Sequence, residues 1–504
     1  MIPLALMTRI VPNISHNKNR TGIMDSRLVT VGLPIGLFLI LGPTVALLIA
    51  RGQWRVAAAM VIAVPTAVVF IRYPFAAILI WLLVAPFVEV TPTYTIRYIY
   101  WLIHRVTIPL ALAMTIISSG INRDKHRLPP LGRAELAAVA FLALAVTWTL
   151  LEGFAIAAKL VHFYDRLLIP FLTYLLIQFI APQDKDLKRL MPVLWIICVA
   201  ECVIGIMSWY VPQWLPQEWL YLQGERTTGT FDEPAIYTSI LMFCMLLLLH
   251  YGIHHRSNTL RLILLLTFGL GAGGIFLSFS RGSWLAGLLV GLALLALYPK
   301  TMLRLYAGIF LFVIILSAST GLLTRYSSWA SIRLEDKGTA DARFSELHAS
   351  LRMIQARPFF GWGYENFDRY DYQFLSAKDQ AFLGYEEDTS HHTYLTIMAE
   401  LGLVGLFLSV YPYFWWLSLT LKIRHRMPGE GFWSWHLLIL LWLAILFCIV
   451  VSNFIDMRFF PFGLTLPWLS LGLIANIVRA YLQPGDIGMA AWITRVIYSG
   501  SSTD

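Results

Sequence analysis

PAIYTSILMFCMLLLLHY, residues 234–251, runs for eighteen residues with no charged side chain apart from a histidine near its end. At 1.5 Å per residue, a helix of that length covers about 27 Å, close to the roughly 30 Å hydrocarbon core of a bilayer. It opens on Pro234, a favoured first residue of a helix. Apolar runs of about 17 to 25 residues recur from Thr30 almost to the end of the chain. None shows the period-two alternation of a barrel strand, so helices are expected to satisfy the backbone in lipid. The fold class read from this is an all-α integral membrane protein.

The composition agrees. Of 504 residues, 58% are hydrophobic and 13% charged, and the mean hydropathy is +0.68. That leaves too little polar surface for a water-soluble globule of this size. Residues 1–28 are polar and mixed, without the basic-then-apolar layout of a cleavable signal peptide, so the first span is expected to be retained. Cys198, Cys202, Cys244 and Cys448 lie inside apolar runs without metal or redox spacing and read as small core residues. The net charge of +9 fits the basic bias of cytoplasmic loops better than nucleic-acid binding.

Fourteen spans are expected, at 30–50, 54–71, 74–90, 99–119, 134–151, 166–181, 190–211, 234–251, 260–280, 283–299, 302–322, 391–420, 433–453 and 460–481. With a cytoplasmic N-terminus, most of the 38 Lys and Arg fall inside once the long loop 323–390 is set aside. The chain then divides into a cytoplasmic segment 1–29, spans one to eleven over 30–322, a large outer loop 323–390, spans twelve to fourteen over 391–481, and a cytoplasmic tail 482–504. Segments 212–233 and 281–282 join that loop on the outer face. GLGAGG at 269–274 fits a nucleotide-loop pattern on paper, but it lies mid-span without a preceding strand and reads as a close-packing helix surface.

Three outer features share one geometry. Arg226 and the turn-forming Gly229 precede Pro234; Arg281 stands between Ser280 and Gly282; Thr389 and Ser390 can cap the helix that His391 and His392 open. Each marks the N-terminus of a span running inward, where free N–H groups and the helix dipole favour an anion. An arginine there adds a bidentate phosphate clamp. The same dipole disfavours imidazolium, so a histidine in that position is expected to stay neutral and able to accept a proton. The bland reading of His391 and His392 is two interfacial polar residues at a helix end.

In the long loop, the stretch from Asp341 reads as an amphipathic helix. Phe344, Leu347, Leu351 and Ile354 fall on one face, and Arg343, Glu346, Ser350 and Arg357 on or near the other, until Pro358 ends it. Two readings stand: a lid helix lying on the membrane surface, or one that also supplies Arg343, Arg352 or Arg357 as a phosphate contact. Glu201 and Glu400 lie within spans, where a charge is expensive and functional or paired. Glu400 reads as a buried partner for another helix. The outer segments offer no metal-spaced cluster, so no metal and no cofactor is expected.

Four stretches, RTTGTFDEP (226–234), SFSRGSWLAGLLVGL (278–292), RFSEL with ARPFFGWGYENF (343–367), and HHTYLTIMAELGLVGL (391–406), come in the order and at the spacing of one family. They resemble the O-antigen ligase and O-antigen polymerase superfamily, bacterial polytopic glycosyltransferases acting on undecaprenyl-diphosphate-linked glycans. The resemblance covers about the C-terminal half. It implies a GT-C-like enzyme of the bacterial inner membrane with a periplasmic site, metal-independent and inverting. On that reading Arg226, Arg281 and Arg343 bind the diphosphate and His391 is the catalytic base, with His392, Arg352 and Arg357 as possible accessories. Its partners would be the lipid-linked donor, a glycan or lipid A core acceptor, and membrane lipids. The family commonly has Asn where this chain has His392. Ligase, polymerase and protein O-glycosyltransferase stay open. The rival reading is a lipid-linked sugar flippase or other transporter, whose sign would be a midplane cavity around Glu201.

Overall fold

The computed structural model describes residues 46–47, 50–53, 61, 65–90, 94–121, 128–220, 226–320, 338–377, 380 and 391–483. Two compact units divide the chain between Tyr73 and Pro74. In the first, residues 65–72 are helical; the expected first span and most of the second lie outside the described residues. Everything below concerns the second unit.

Its helices, in order, are α1 (Ala76–Glu89), α2 (Tyr94–Leu102), α3 (Ile108–Ile121), α4 (Arg133–Glu152), α5 (Ile156–Phe163), α6 (Ile169–Ile180), α7 (Asp184–Tyr210) and α8 (Pro234–His254). They continue with α9 (Asn258–Leu277), α10 (Arg281–Leu297), α11 (Pro299–Thr320), α12 (Gly338–Ala356), α13 (Phe367–Phe374), α14 (Thr393–Ile423), α15 (Trp435–Val451) and α16 (Pro461–Tyr481). The described residues contain no strand. Among the described residues, eight helical stretches are long and apolar enough to cross a membrane, where fourteen spans were expected along the whole chain; α1, α10 and α15 are shorter apolar helices.

The run that opened the sequence reading is the centre of the bundle. An apolar helix without a polar face can sit in the core or in lipid; here 89% of α8's apolar window is buried, against 33% for α9. α8 packs on α7, α9 and α15, and α16 packs on α6, α14 and α15. Two of the 269–274 glycines serve close packing: a Cβ on Gly271 would come 2.5 Å from Sδ of Met245, and one on Gly274 would come 2.6 Å from the Tyr237 hydroxyl, both on α8. All four cysteines are buried and free.

The sixth expected span begins ten residues early. α5 and α6 form one helix through a π-turn at Tyr164–Leu168, facing a second π-turn, Ile103–Thr107, between α2 and α3. A π-turn disturbs the i→i−4 ladder, and here the two turns satisfy each other. The Tyr164 hydroxyl donates to the Arg105 carbonyl at 2.7 Å, and His104 Nε2 lies 3.3 Å from the Asp165 carbonyl. Arg105 pairs with the Asp165 carboxylate at 2.6 Å. The expected spans 99–119 and 166–181 held His104 and Arg105 within a span but left Asp165 in the preceding loop.

The twelfth expected span is a broken helix. Within α14, Gly402 takes φ +69°, and the break would leave carbonyls and amides unpaired, at several kcal/mol each in lipid. Residues 358–363 fill it from outside. Trp362 N–H donates to the Ala399 carbonyl (3.0 Å) and Gly363 N–H to that of Glu400 (2.8 Å), while Leu403 N–H donates to the Pro358 carbonyl (2.8 Å) and Val404 N–H to that of Phe359 (3.2 Å). A Cβ on Gly402 would overlap the Phe359 main chain, and one on Gly361 would overlap the Glu400 carbonyl. Gly402→Ala is therefore expected to destabilise the protein by about 2–5 kcal/mol through left-handed strain and overpacking. The measure is the thermal unfolding temperature in detergent. Gly273→Ala, whose Cβ meets nothing within 4 Å, should leave that temperature unchanged.

The rest of the 358–367 segment ties the two halves of the sequence together. Asn366 Nδ2 donates to Glu152 (2.5 Å), which also pairs with Lys159 (2.7 Å) and Arg369 (2.9 Å). Glu365 pairs with Arg166 (2.5 Å) and with His162 (2.7 Å). Burial works against ionised Glu365, but the hydrogen bond from His162 and the charges of Arg166 and Arg458 outweigh it and hold its pKa down to about 2. A depressed carboxyl contributes stability above its unfolded pKa near 4.5, and that contribution is lost as pH falls through the folded value. Wild type should lose about 3 kcal/mol between pH 5 and 2 from this group. Glu365→Gln should show a correspondingly flatter profile of unfolding temperature against pH.

In helix α12 the small, polar face is the buried one: Ser345, Glu346, Ala349, Ser350 and Met353 are buried, while Phe344 is 59% and Leu351 40% exposed. The helix packs on α13 and α14 with this small, polar face. In a bilayer protein the solvent for an apolar face is lipid, so amphipathicity alone does not tell which side is inside.

Candidate functional site

A cavity of about 380 Å³ opens between α10, α12, the start of α14 and the turn after α15. Arg281, Arg343, Glu346, His391 and His392 supply its polar lining, with Ser350 and Asn453; Phe344, Leu347 and Phe454 make much of the rest apolar.

Arg281 reaches the cavity because α9 ends sharply. Phe279 takes φ +48°, Ser280 caps α10 by accepting from Ser283 N–H at 3.4 Å, and Arg281 is the first residue of that helix. Gly282 lies against the Phe454 ring, which a Cβ would meet at 2.6 Å. Among the described residues Arg281 has no ion-pair partner, so a half-buried cation stands at a helix N-terminus with its charge available to a ligand. Arg343 comes from α12, one turn before Glu346. The Glu346 carboxylate accepts the His391 N–H at 3.3 Å, fixing the entrance of α14 against α12. His392 caps α14, and its carbonyl accepts from Thr396 N–H (3.0 Å) and hydroxyl (2.8 Å). Burial lowers the His392 pKa against its backbone hydrogen bond and the pull of Asp456, which favours neutral imidazole. The capping roles expected of Thr389 and Ser390 lie outside the described residues.

The other expected site residues stand elsewhere. Arg226 is outside the lining; its neighbour Thr227 donates to the Leu277 carbonyl at 3.3 Å, four residues before Arg281. Gly229 takes φ +61° in a turn held by Glu201, whose carboxylate accepts from Thr230 N–H (2.9 Å) and hydroxyl (2.6 Å). Glu201 is fully buried, a structural anchor of that turn. Arg352 donates to the Phe374 carbonyl, and the Arg357 guanidinium lies 4.0 Å over the Trp362 ring. Glu400 is the buried partner it was read to be, paired with Arg458 at 2.5 Å, a residue of the turn before α16.

Glu346 was read only as part of the polar face of the loop helix, and Asn453 and Phe454 carried no sequence signal, although the expected topology puts 454–459 on the outer face. Sequence reading passed over Glu233, the cap of α8, whose carboxyl burial pushes up to about 7 against its hydrogen bond from Ala235 and the charge of Arg343. Adjacency to Arg343 joins residues 110 apart and has no sequence signal.

No curated protein matches this chain. Residues 265–410, which carry Arg281, Arg343, the 358–367 segment and His391, match the family described as O-antigen ligase. The chain is a multi-pass membrane protein whose residues 265–410 are similar to the O-antigen ligase family.

Proposed function

We propose that this protein is a membrane glycosyltransferase that transfers or polymerises a glycan carried on undecaprenyl diphosphate, at the periplasmic face of a bacterial inner membrane. The observation that carries the reading is the meeting of Arg281, Arg343 and His391 in one cavity whose remaining walls are largely apolar. A prenyl diphosphate needs both halves of that lining: cations for the diphosphate and apolar walls for the chain beside it.

The acceptor hydroxyl attacks the anomeric carbon and passes its proton to the His391 imidazole. The bond from that carbon to the diphosphate oxygen breaks on the opposite side, so configuration inverts. The electron pair leaves with undecaprenyl diphosphate, whose added charge Arg281 and Arg343 stabilise. Arg226 is proposed to meet the distal part of the same diphosphate from beside the end of α9, with Arg352 and Arg357 as accessories. Arginines supply the countercharge, so the reaction is proposed to run without a metal.

The test is release of undecaprenyl diphosphate by purified protein in liposomes holding the undecaprenyl-diphosphate-linked glycan, with and without EDTA. Release that survives EDTA supports the reading, and intact passage of the lipid-linked glycan across the bilayer would replace it with a flippase. Arg281→Ala is expected to weaken undecaprenyl diphosphate binding at least about tenfold, the loss of one charge-assisted clamp. Arg281→Lys should recover part of it, because a point charge replaces a bidentate fork. Unchanged binding in Arg281→Ala would remove the clamp from the mechanism.

A further inference from the structure

A second group of polar side chains stands apart from the cavity. Phe454 lines the cavity, and Phe459, five residues on, lies under the Arg166 guanidinium at 4.5 Å. Five residues span at most roughly 18 Å, so the two places are neighbours on one end of the bundle.

At its centre Glu365 holds His162 by Nδ1 at 2.7 Å and Arg166 at 2.5 Å. A carboxylate on Nδ1 fixes the proton there and leaves Nε2 as an acceptor. The His162 side chain is 42% exposed, and its Nε2 meets none of the described residues. Glu365 keeps this pose at φ +57°, a strained conformation for a glutamate and one that persists where surroundings enforce it. The π-turn Tyr164–Leu168 begins two residues after His162, an irregularity frequent at functional sites.

The neighbours define the ligand chemistry. Lys159 and Arg369 both pair with Glu152, and Arg166 with Glu365, so no cation of this group lacks a carboxylate. A phosphate would have to displace a partner, in contrast to Arg281. What faces outward is an acceptor nitrogen on His162, the half-exposed guanidinium of Arg369, and the Phe154 ring, 54% exposed with Arg369 at 4.5 Å on it. These groups, borne on residues 154–162 and on the 365–369 segment paired with them, match a neutral saccharide, whose hydroxyls hydrogen-bond and whose C–H face packs on an aromatic.

We propose that His162, Arg369 and Phe154, with Glu365 and Arg166 as positioning residues, form a subsite for a neutral saccharide, the glycan acceptor. The role of acceptor rests on the transferase reading; saccharide binding does not.

The test uses the full chain in nanodiscs. The probes are oligosaccharides released by mild acid from the host's surface glycan, followed by saturation-transfer NMR, and undecaprenyl diphosphate as a separate arm. Wild type is expected to bind the oligosaccharide, with His162→Ala and Phe154→Ala at least tenfold weaker, Phe154→Trp near wild type, and undecaprenyl diphosphate binding unchanged in all three. Phe154 is exposed, so its variants keep the test independent of folding. No oligosaccharide binding by wild type, or equal binding by Phe154→Ala and His162→Ala, would overturn the proposal. Displacement of the oligosaccharide by inorganic pyrophosphate would also overturn it, since the site would then be an anion site. If Arg281→Ala keeps full undecaprenyl diphosphate binding while the oligosaccharide results hold, the donor reading fails and the subsite stands.

Discussion

His391→Ala is expected to lower glycan transfer by about 10²–10⁴-fold, the usual contribution of a positioned general base, while undecaprenyl diphosphate still binds. The separation follows from the proposed division of roles in the cavity, with Arg281 and Arg343 meeting the diphosphate and His391 taking the acceptor's proton. His391 is held at the start of α14 by its N–H to Glu346, so its side chain can be removed without breaking that contact. The measurement is single-turnover release of undecaprenyl diphosphate beside equilibrium binding of the same lipid. His392→Ala separates the two imidazoles: loss in that variant with retention in His391→Ala would move the base to His392. Loss of lipid binding together with rate in His391→Ala would assign His391 to the donor clamp instead.

Arg458→Met is expected to cost about 3–5 kcal/mol of stability, the range for removing one partner of a buried ion pair. Arg458 is 4% exposed, with Glu400 and Asp456 1% exposed each. It binds Glu400 at 2.5 Å and Asp456 at 2.7 Å. Without it two carboxyls stay buried with no cation between them. The loss reaches the 358–367 segment, because Glu400 also accepts from Phe367 N–H at 3.3 Å. The triple variant Arg458→Met with Glu400→Gln and Asp456→Asn should recover much of the difference, since neutral amides are cheaper to bury than lone carboxylates. Unfolding temperatures in detergent measure both. A single variant within about 1 kcal/mol of wild type would mean that water reaches the cluster.

The first prediction concerns a residue the sequence flagged and the second the unflagged partner of one, and the difference shows what was legible. Arg281 and His391 were readable because a cation or an imidazole at the outer mouth of an inward-running span is a local feature, set by chain order and the polarity of the helix. Glu400 was readable because a carboxylate within an apolar run needs a partner. Which partner was not readable: Arg458 lies 58 positions on in the sequence, and only packing of α14 against the turn before α16 brings it near. The same limit hid the junction of His162 with Glu365 and of Glu152 with Asn366, each about two hundred positions apart.

Helix α12 marks the limit most clearly, because its periodicity gave the helix and its end at Pro358 but left open which face meets the protein. Lipid accepts an apolar face as readily as a core does. The break at Gly402 was invisible for a related reason: a glycine in an apolar helix has the same signature whether it packs against a neighbour or bends the chain. By itself the sequence determined an all-helical membrane protein with cations and histidines gathered at one end, because bilayer thickness and helix polarity act on every span separately. Only the tertiary structure decided which of those residues share a cavity and which carboxylate each cation meets, because these depend on the packing of helices whose apolar surfaces alone prescribe no neighbour.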